Sequence, residues 1–394
     1  MYLLRRLIRE LKILFIHNDY YEPSGEEHAL EGLAALLEEN GHTVIWYRRS
    51  SNEFKGDRLE MVKAALFSIH NSSAIREIEK LIEAEKPDIV QVQSIYPFIS
   101  PGILKAIKKR GIPLIMRCPN YRMWCPTGLF LDNQGNVCEK CLEPGRELWC
   151  VGKNCTGKPL KSAAYALRNF TARKSGVFLK YVDTFIVQST FQQEKFISLG
   201  VPKNKIAILP GLTAAVTPSN EKFIPTYYSF IGRVSREKGV EDIFNAARSL
   251  SHLKFAVAGR IREGFDVSLA PPNVEFMGFL TGANLEKLYQ ESKAILVPSR
   301  WYEGFPNVIT KAMFYSKPVI ASNLGCFKDI IDHEENGLLV DLNDGSALEN
   351  AIRRIEASPG FATEMGRKGK NKAEIKFGKS NIYSSLIKVY SELG

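Results

Sequence analysis

Two short apolar runs, Ala294–Val297 and Pro318–Ala321, are joined by Arg300-Trp-Tyr-Glu-Gly-Phe-Pro-Asn-Val-Ile-Thr-Lys-Ala-Met313, and that arrangement leaves few folds open. Runs this short and this apolar read as strands buried on both faces. A helix between them makes the strands parallel, because a parallel pair needs a crossover. Pro306 sits at or just before the first helical turn, where its missing N–H costs nothing. The junction then turns free backbone N–H groups and the positive end of the helix dipole toward the strand's carboxyl edge, where anions bind. Glu303, at the start of the loop, would face whatever the anion is attached to. On this stretch alone, an ordinary strand–helix turn with a solvated Glu303 is an equal reading.

The rest of the chain repeats the pattern. Ile13–His17, Thr43–Tyr47, Asp88–Gln93, Pro113–Met116, Thr184–Gln188 and Ile206–Gly211 read as strands, with helices over Glu26–Asn40, Ile103–Lys109 and Leu160–Lys180 between them. After a Pro/Ser/Thr-bearing linker the alternation restarts at Tyr227–Ile231 and runs through Lys254–Ala258 and Val274–Phe276 to the run Glu335–Val340. Three closing helices follow, over 346–356, 361–374 and 380–392. The fold class is therefore α/β, with two doubly wound parallel-sheet domains. The boundaries are a basic amphipathic segment over 1–11, a first domain over 12–212 with an insertion at 118–160, a second domain over 213–375, and a final helix over 376–394. Pro23-Ser-Gly25-Glu26 lacks the G-x-G-x-x-G spacing of dinucleotide folds, which argues against NAD or FAD. Gly25 at a helix entrance can still admit a phosphate or sugar to the backbone. Gly232-Arg233 and Lys238-Gly239, at the end of another strand, suit a diphosphate clamp, bidentate from the guanidinium and point-like from the ammonium.

At 394 residues, with 45% hydrophobic and 24% charged side chains, each domain can bury its own core. No apolar run approaches the roughly 18–20 residues of a membrane span. The first eleven residues place Leu3, Leu4, Leu7, Ile8 and Leu11 on one face and Arg5, Arg6 and Arg9 elsewhere. That pattern fits a packed or frayed terminal helix, and also a membrane-surface anchor. Residues 105–180 hold 15 basic and 4 acidic side chains, which points to an acidic partner: lipid head groups, a phosphorylated acceptor or nucleic acid. The same region holds Cys118, Cys125, Cys138, Cys141, Cys150 and Cys155. Cys125, Cys138, Cys141 and Cys150 form the best four-thiolate zinc set, ranked ahead of free or partly oxidised thiols and of an iron–sulfur cluster. Such a closed site is structural, since it leaves no position for substrate.

The second half resembles the retaining glycosyltransferases of family four, which have the two-lobed GT-B fold. The resemblance rests on Gly232-Arg233, Glu237-Lys238-Gly239, Phe276-Met-Gly278, Val297-Pro-Ser299, Glu303-Gly-Phe-Pro-Asn-Val, Lys317-Pro-Val-Ile-Ala-Ser322 and Glu335-Asn-Gly-Leu-Leu-Val340. Residues 12–206 are similar more loosely. Asn120-Tyr-Arg122, Cys125-Pro126 and the C-x-x-C pair resemble a branch with a cysteine-bearing insertion.

The resemblance implies a UDP- or GDP-sugar donor on the C-terminal lobe, chemistry without a catalytic metal, and an acceptor on the N-terminal lobe. It places Arg233 and Lys238 on the diphosphate and Glu303 beside the donor sugar. Gly25, Gly232, Gly304, Phe305, Pro306, Asn307, Val308 and Lys311 would lie around the donor, and Ser94, Tyr121 and Arg122 around the acceptor. Three positions depart from the family pattern. Lys311 stands where a second Glu usually accepts bonds from the ribose, Pro119 replaces a branch His, and Gln91 and Gln93 replace a His-x-His pair. The expected activity is transfer of one sugar to a lipid-linked or glycan acceptor in bacterial-type polysaccharide or glycoconjugate synthesis. The setting expected is cytoplasmic, peripheral at the inner face of the membrane, with no nucleic acid as partner. A catalytically silent GT-B subunit or glycan-binding partner is the alternative. A zinc-knuckle nucleic-acid binder and another GT-B activity rank below it.

Overall fold

The computed structural model describes residues 9–21, 25–53, 58–143, 145–213 and 223–393. Most of the basic N-terminal segment, with Pro23 and Ser24 of the first loop, lies outside them. The first lobe carries strands β1 (Lys12–Asp19), β2 (Thr43–Ser50), β3 (Ile89–Val92), β4 (Leu114–Arg117), β5 (Thr184–Val187) and β6 (Ile206–Ile208). They form one parallel sheet in the order β2-β1-β3-β4-β5-β6. The second lobe carries β7 (Tyr227–Ile231), β8 (Lys254–Ala258), β9 (Val274–Gly278), β10 (Ser292–Val297), β11 (Val319–Ser322) and β12 (Leu338–Val340), ordered β12-β11-β10-β7-β8-β9 and again parallel.

The continuous apolar runs have a simple cause. Successive strand residues point to opposite faces, and helices cover both. Leu14, Ile16, Val90, Val92, Leu114, Met116, Phe185 and Val187 enter one core of the first lobe, while Ile13, Phe15, Ile89, Ile115 and Ile186 enter the other. In the second lobe Phe255, Val257, Ala294, Leu296 and Ile320 face one way, and Ile295, Val297, Val319 and Ala321 the other. The final helix, Lys379–Ser391, returns to the first lobe. There Ile382, Leu386 and Tyr390 share a cluster with Ile13, Phe15 and Leu33, and the Tyr390 hydroxyl donates to Gln91 Oε1 at 2.9 Å.

One expected helix is broken. The 160–180 stretch splits at Gly176, whose φ of 63° is the left-handed turn glycine allows, into Pro159–Lys174 and Val177–Tyr181. The insertion is mostly irregular, with an antiparallel bridge from Leu131 to Val137 around the turn at Asp132–Asn136. It is anchored by Tyr121, Trp124 and Phe130 in the lobe core. None of the described helices is long and apolar enough to cross a membrane.

The lobes meet face to face. Tyr302, after β10, packs on Phe191 (4.9 Å between centroids) and edge-on against Phe130 (6.2 Å). The Asp329 carboxylate of the second lobe accepts from Thr190 Oγ1 and from the Phe191 N–H (3.2 Å), at the start of a first-lobe helix. Two parallel-sheet lobes opposed across a cleft, with the last helix crossing back, are the GT-B architecture.

Candidate active site

Glu303 is the centre of the second lobe's contribution. It is 6% exposed, and its Oε1 accepts three bonds: from Lys238 Nζ (2.5 Å), Ser299 Oγ (2.8 Å) and Trp301 Nε1 (3.0 Å). Such charge-assisted bonds are short and strong. The Trp301 ring also lies under the Lys238 ammonium, 5.3 Å from its centroid. Lys238 reaches this point because the single turn Arg236–Lys238 folds onto the end of β10. Gly239 permits the fold: its φ is 71°, and an added Cβ would stand 1.8 Å from the Pro298 carbonyl oxygen.

Arg233 is half exposed and donates to Glu237 Oε1 at 2.8 Å. Glu237 is buried and also accepts from Arg262 (3.2 Å). Burial pushes the Glu237 carboxyl up, yet Arg233, its own backbone N–H, Ser235 and Arg262 outweigh it and hold it below the usual range. A buried carboxylate therefore fixes one half-exposed guanidinium beyond the end of β7. Gly232 closes β7 by donating to the Ala258 carbonyl (2.9 Å), and its packing leaves a Cβ in ordinary contact.

The loop after Glu303 departs from its expected role. A Cβ on Gly304 would stand 2.2 Å from the Pro119 carbonyl oxygen of the other lobe, so Gly304 lets the two lobes touch. Phe305 packs edge-on against Phe377 (5.6 Å), and Pro306 is buried ahead of the helix Asn307–Phe314. Val308 joins that helix's apolar cluster, while Asn307 Oδ1 is buried without a partner. Lys311 lies 5.5 Å from the Tyr289 ring, its pKa lowered by burial.

From the first lobe, Gly25 opens the helix Gly25–Glu38, with no atom within 4 Å of an added Cβ. Ser94 and Arg122 line a crevice at the carboxyl ends of β3 and β4. Tyr121 does not line it. The side chain is 1% exposed and packs on Phe130 (4.6 Å) and Phe196, with its hydroxyl buried and lacking a hydrogen-bond partner. Gln93 and Asn120, noted in the sequence only as family-pattern positions, line the crevice, and so does Arg117, which the sequence reading passed over. The signal was a charged residue ending an apolar strand run.

The expected zinc ligands share one region of the insertion, where burial and then the neighbouring Cys125, Cys155 and Cys138 thiols push the Cys141 pKa up. Among the described residues, the ligand atoms that lie within 4.8 Å of one another are those of His17, Asp19 and Glu27, so the four sulfurs of Cys125, Cys138, Cys141 and Cys150 stand wider apart than that. Cys125 belongs to the lobe core, its Sγ 3.2 Å from Thr127 Oγ1. Cys150 instead neighbours Cys155, and their hydrogen bond raises the Cys150 pKa and lowers that of Cys155. All seven cysteines are unpaired.

Residues 24–211 match the model of the glycosyl transferase 4-like domain, and residues 217–372 that of the glycosyl transferases group 1. A 42.6 kDa protein in the cps region of Klebsiella pneumoniae is 25% identical over 356 residues, covering 80% of this chain and 86% of that protein. A 41.2 kDa protein from the same region is 24% identical over 227 residues, covering 54% of this chain and 63% of its own length. The crystal structure of Anabaena HepE in complex with UDP superposes with a TM-score of 0.66 at 16% identity, covering 97% of this chain and all of that one. That likeness shows the fold; the two domain matches carry the relationship. The chain has the GT-B fold, its first lobe matching the glycosyl transferase 4-like domain and its second the glycosyl transferases group 1, and it spans 63% and 43% of the length of two curated relatives it matches.

Proposed function

We propose that this protein moves one sugar from a nucleotide-diphosphate sugar to a hydroxyl of a glycan or lipid-linked acceptor, with retention at the anomeric carbon. The observation that carries the reading is the pair of held cations, Arg233 bonded to Glu237 and Lys238 bonded to Glu303, the latter beside the Gly304 contact between the lobes. The UDP in the HepE structure supports a uridine donor.

An ammonium has three donors. Glu303 takes one, leaving Lys238 able to bridge from that carboxylate to a phosphate oxygen. As the glycosidic bond breaks, negative charge builds on the diphosphate. Arg233 and Lys238 then stabilise the transition state more than the ground state, and no step calls for a metal. Glu303, fixed by three donors, is rigid enough to orient a sugar hydroxyl beside the reacting carbon. The acceptor hydroxyl enters from the first lobe. The basic 105–180 span suits a lipid-linked acceptor presented at an anionic membrane surface, with the protein peripheral on its cytoplasmic side.

Thermal unfolding against a panel of UDP- and GDP-sugars tests the proposal. A donor at 100 times its Kd should stabilise the fold by about 2.7 kcal/mol, and Arg233→Ala should remove that shift. If no nucleotide or nucleotide-sugar stabilises the wild type, the donor reading fails.

A further inference from the structure

Three arginines of the first lobe, Arg117 and Arg168 buried and Arg122 partly so, have no carboxylate among their hydrogen-bond partners. Arg117 is 3% exposed; its guanidinium donates to Gln93 Oε1 (2.5 Å), and its Nε has no partner. Arg122 donates to the Tyr20 hydroxyl (3.2 Å). Arg168 donates to the Pro126 carbonyl (2.7 Å) and to Asn169, and lies over Tyr96 (4.0 Å). The carboxylate facing Arg117 and Arg122 is Glu26, and its oxygens are already engaged by the Tyr20 hydroxyl (2.7 Å) and by Asn120 Nδ2 (3.1 and 3.2 Å). Burying a charge without a counter-charge is costly, so this part of the lobe carries a positive excess in search of an anion.

A narrow, open-mouthed crevice leads onto these groups, lined by Gln93, Ser94, Arg117, Asn120 and Arg122. The Ser94 hydroxyl is buried there without a hydrogen-bond partner. Pro119 lines the same crevice, and its carbonyl stands against Gly304. The crevice therefore lies beside the loop that carries Glu303. Burial works against the Arg117 charge, lowering its pKa, as expected for a cation that an incoming anion would relieve.

We infer that this crevice is an anion subsite for the acceptor, in which Arg117 and Arg122 grip a phosphate or carboxylate borne by the acceptor while Ser94 Oγ donates to it. Guanidinium forks match both anions. The inference rests on the transferase reading for its location, and it narrows the acceptor to a negatively charged one: a phosphate-linked lipid or an acidic sugar.

Isothermal titration of the UDP-loaded protein separates the cases. The probes are farnesyl phosphate against farnesol, and methyl glucuronoside against methyl glucoside. One anion of the two should bind at least tenfold tighter than its neutral counterpart, and which one does so identifies the source. Arg117→Gln should remove that preference while UDP affinity stays within twofold. Because losing a buried guanidinium could unfold the lobe, Ser94→Asp is the second variant. It places a carboxylate against the retained arginines and should abolish anion binding in a folded protein. If both anions bind no better than their neutral partners, or if the preference survives Ser94→Asp, the subsite is wrong. Failure of wild-type UDP binding would count against the transferase reading instead, and the anion titrations, run without UDP, would still be read on the same terms.

Discussion

Gly304→Ala separates two readings of the glycine that follows Glu303. If Gly304 cradles a donor phosphate through its amide, a methyl should weaken donor binding. The structure gives a different expectation. The added Cβ would lie 2.2 Å from the Pro119 carbonyl oxygen, 3.0 Å from Gln188 Oε1 and 3.2 Å from the Pro119 carbonyl carbon, all first-lobe atoms. Gln188 can rotate away, but the Pro119 main chain cannot, leaving a contact roughly 1 Å too short. Overpacking on this scale costs about 1–3 kcal/mol. The lobes can relieve it by separating, so the charge falls on the closed state alone, whose population should drop roughly 5- to 150-fold. Steady-state turnover with the donor found in the panel should fall in kcat/KM by that range. Small-angle scattering should show a larger radius of gyration, and UDP affinity should stay within about threefold, since Arg233 and Lys238 are untouched. A loss of UDP affinity matching the loss of turnover would refute the argument, and so would unchanged turnover.

Three further outcomes are expected. Glu303→Gln keeps the shape but removes the charge that holds Lys238, Ser299 and Trp301, so turnover should fall roughly 10²- to 10³-fold with an unchanged circular dichroism spectrum. Leu386→Ala, a fully buried contact between the last helix and the first lobe, should cost about 2–5 kcal/mol in urea unfolding; a loss under 1 kcal/mol would mean the helix is not docked in solution. His17, fully buried, has its pKa lowered to about 3, first by burial and then by Arg48, Arg117 and Arg122. The unfolded chain takes up that proton below about pH 6.5 while the native protein does not, so stability should fall as pH drops from 6.5 toward 3, by up to about 1.4 kcal/mol per unit from this site. His17→Gln should flatten that part of the stability–pH curve, and an identical slope in the variant would contradict it.

How far the sequence could be read depended on whether a feature has a local cause. The strands were legible because parallel strands are apolar on both faces, which leaves short uninterrupted runs such as Phe255–Ala258. That the strands run parallel followed from alternation, while their order within each sheet did not. Lys238 and Glu303 were legible as functional groups because each lies at the end of a strand, where such sheets bind ligands. Their bond to each other, made across the sheet from β7 to the loop after β10, was not, since sixty-odd intervening residues carry no mark of it. Gly304 looked like a ligand-binding glycine because local pattern gives only the loop, whereas the atom that excludes its side chain belongs to the other lobe. The cysteines were legible as neighbours, and Cys141, Cys150 and Cys155 do share a cluster, but nothing local said that Cys125 would also pack in the lobe core with Trp124 and Phe130.

Arg117 shows the same limit from the other side. At the end of β4 it reads as a strand-terminating charge bound for solvent, and nothing nearby in sequence says it will be enclosed. The enclosure comes from Gln93, at the end of the neighbouring strand, and from the Asn120–Arg122 turn that folds back over it. A guanidinium is kept in so dry a place only if something offsets its lost hydration, and within the lobe the candidate, Glu26, is shared with Tyr20 and Asn120. The donor clamp of the second lobe differs in this respect, because Arg233 and Lys238 each already hold a carboxylate. One lobe thus offers cations that are paired and partly exposed, suited to a ligand that comes and goes with a diphosphate. The other offers cations that are wholly or partly buried and short of a partner, suited to selecting an acceptor by its charge.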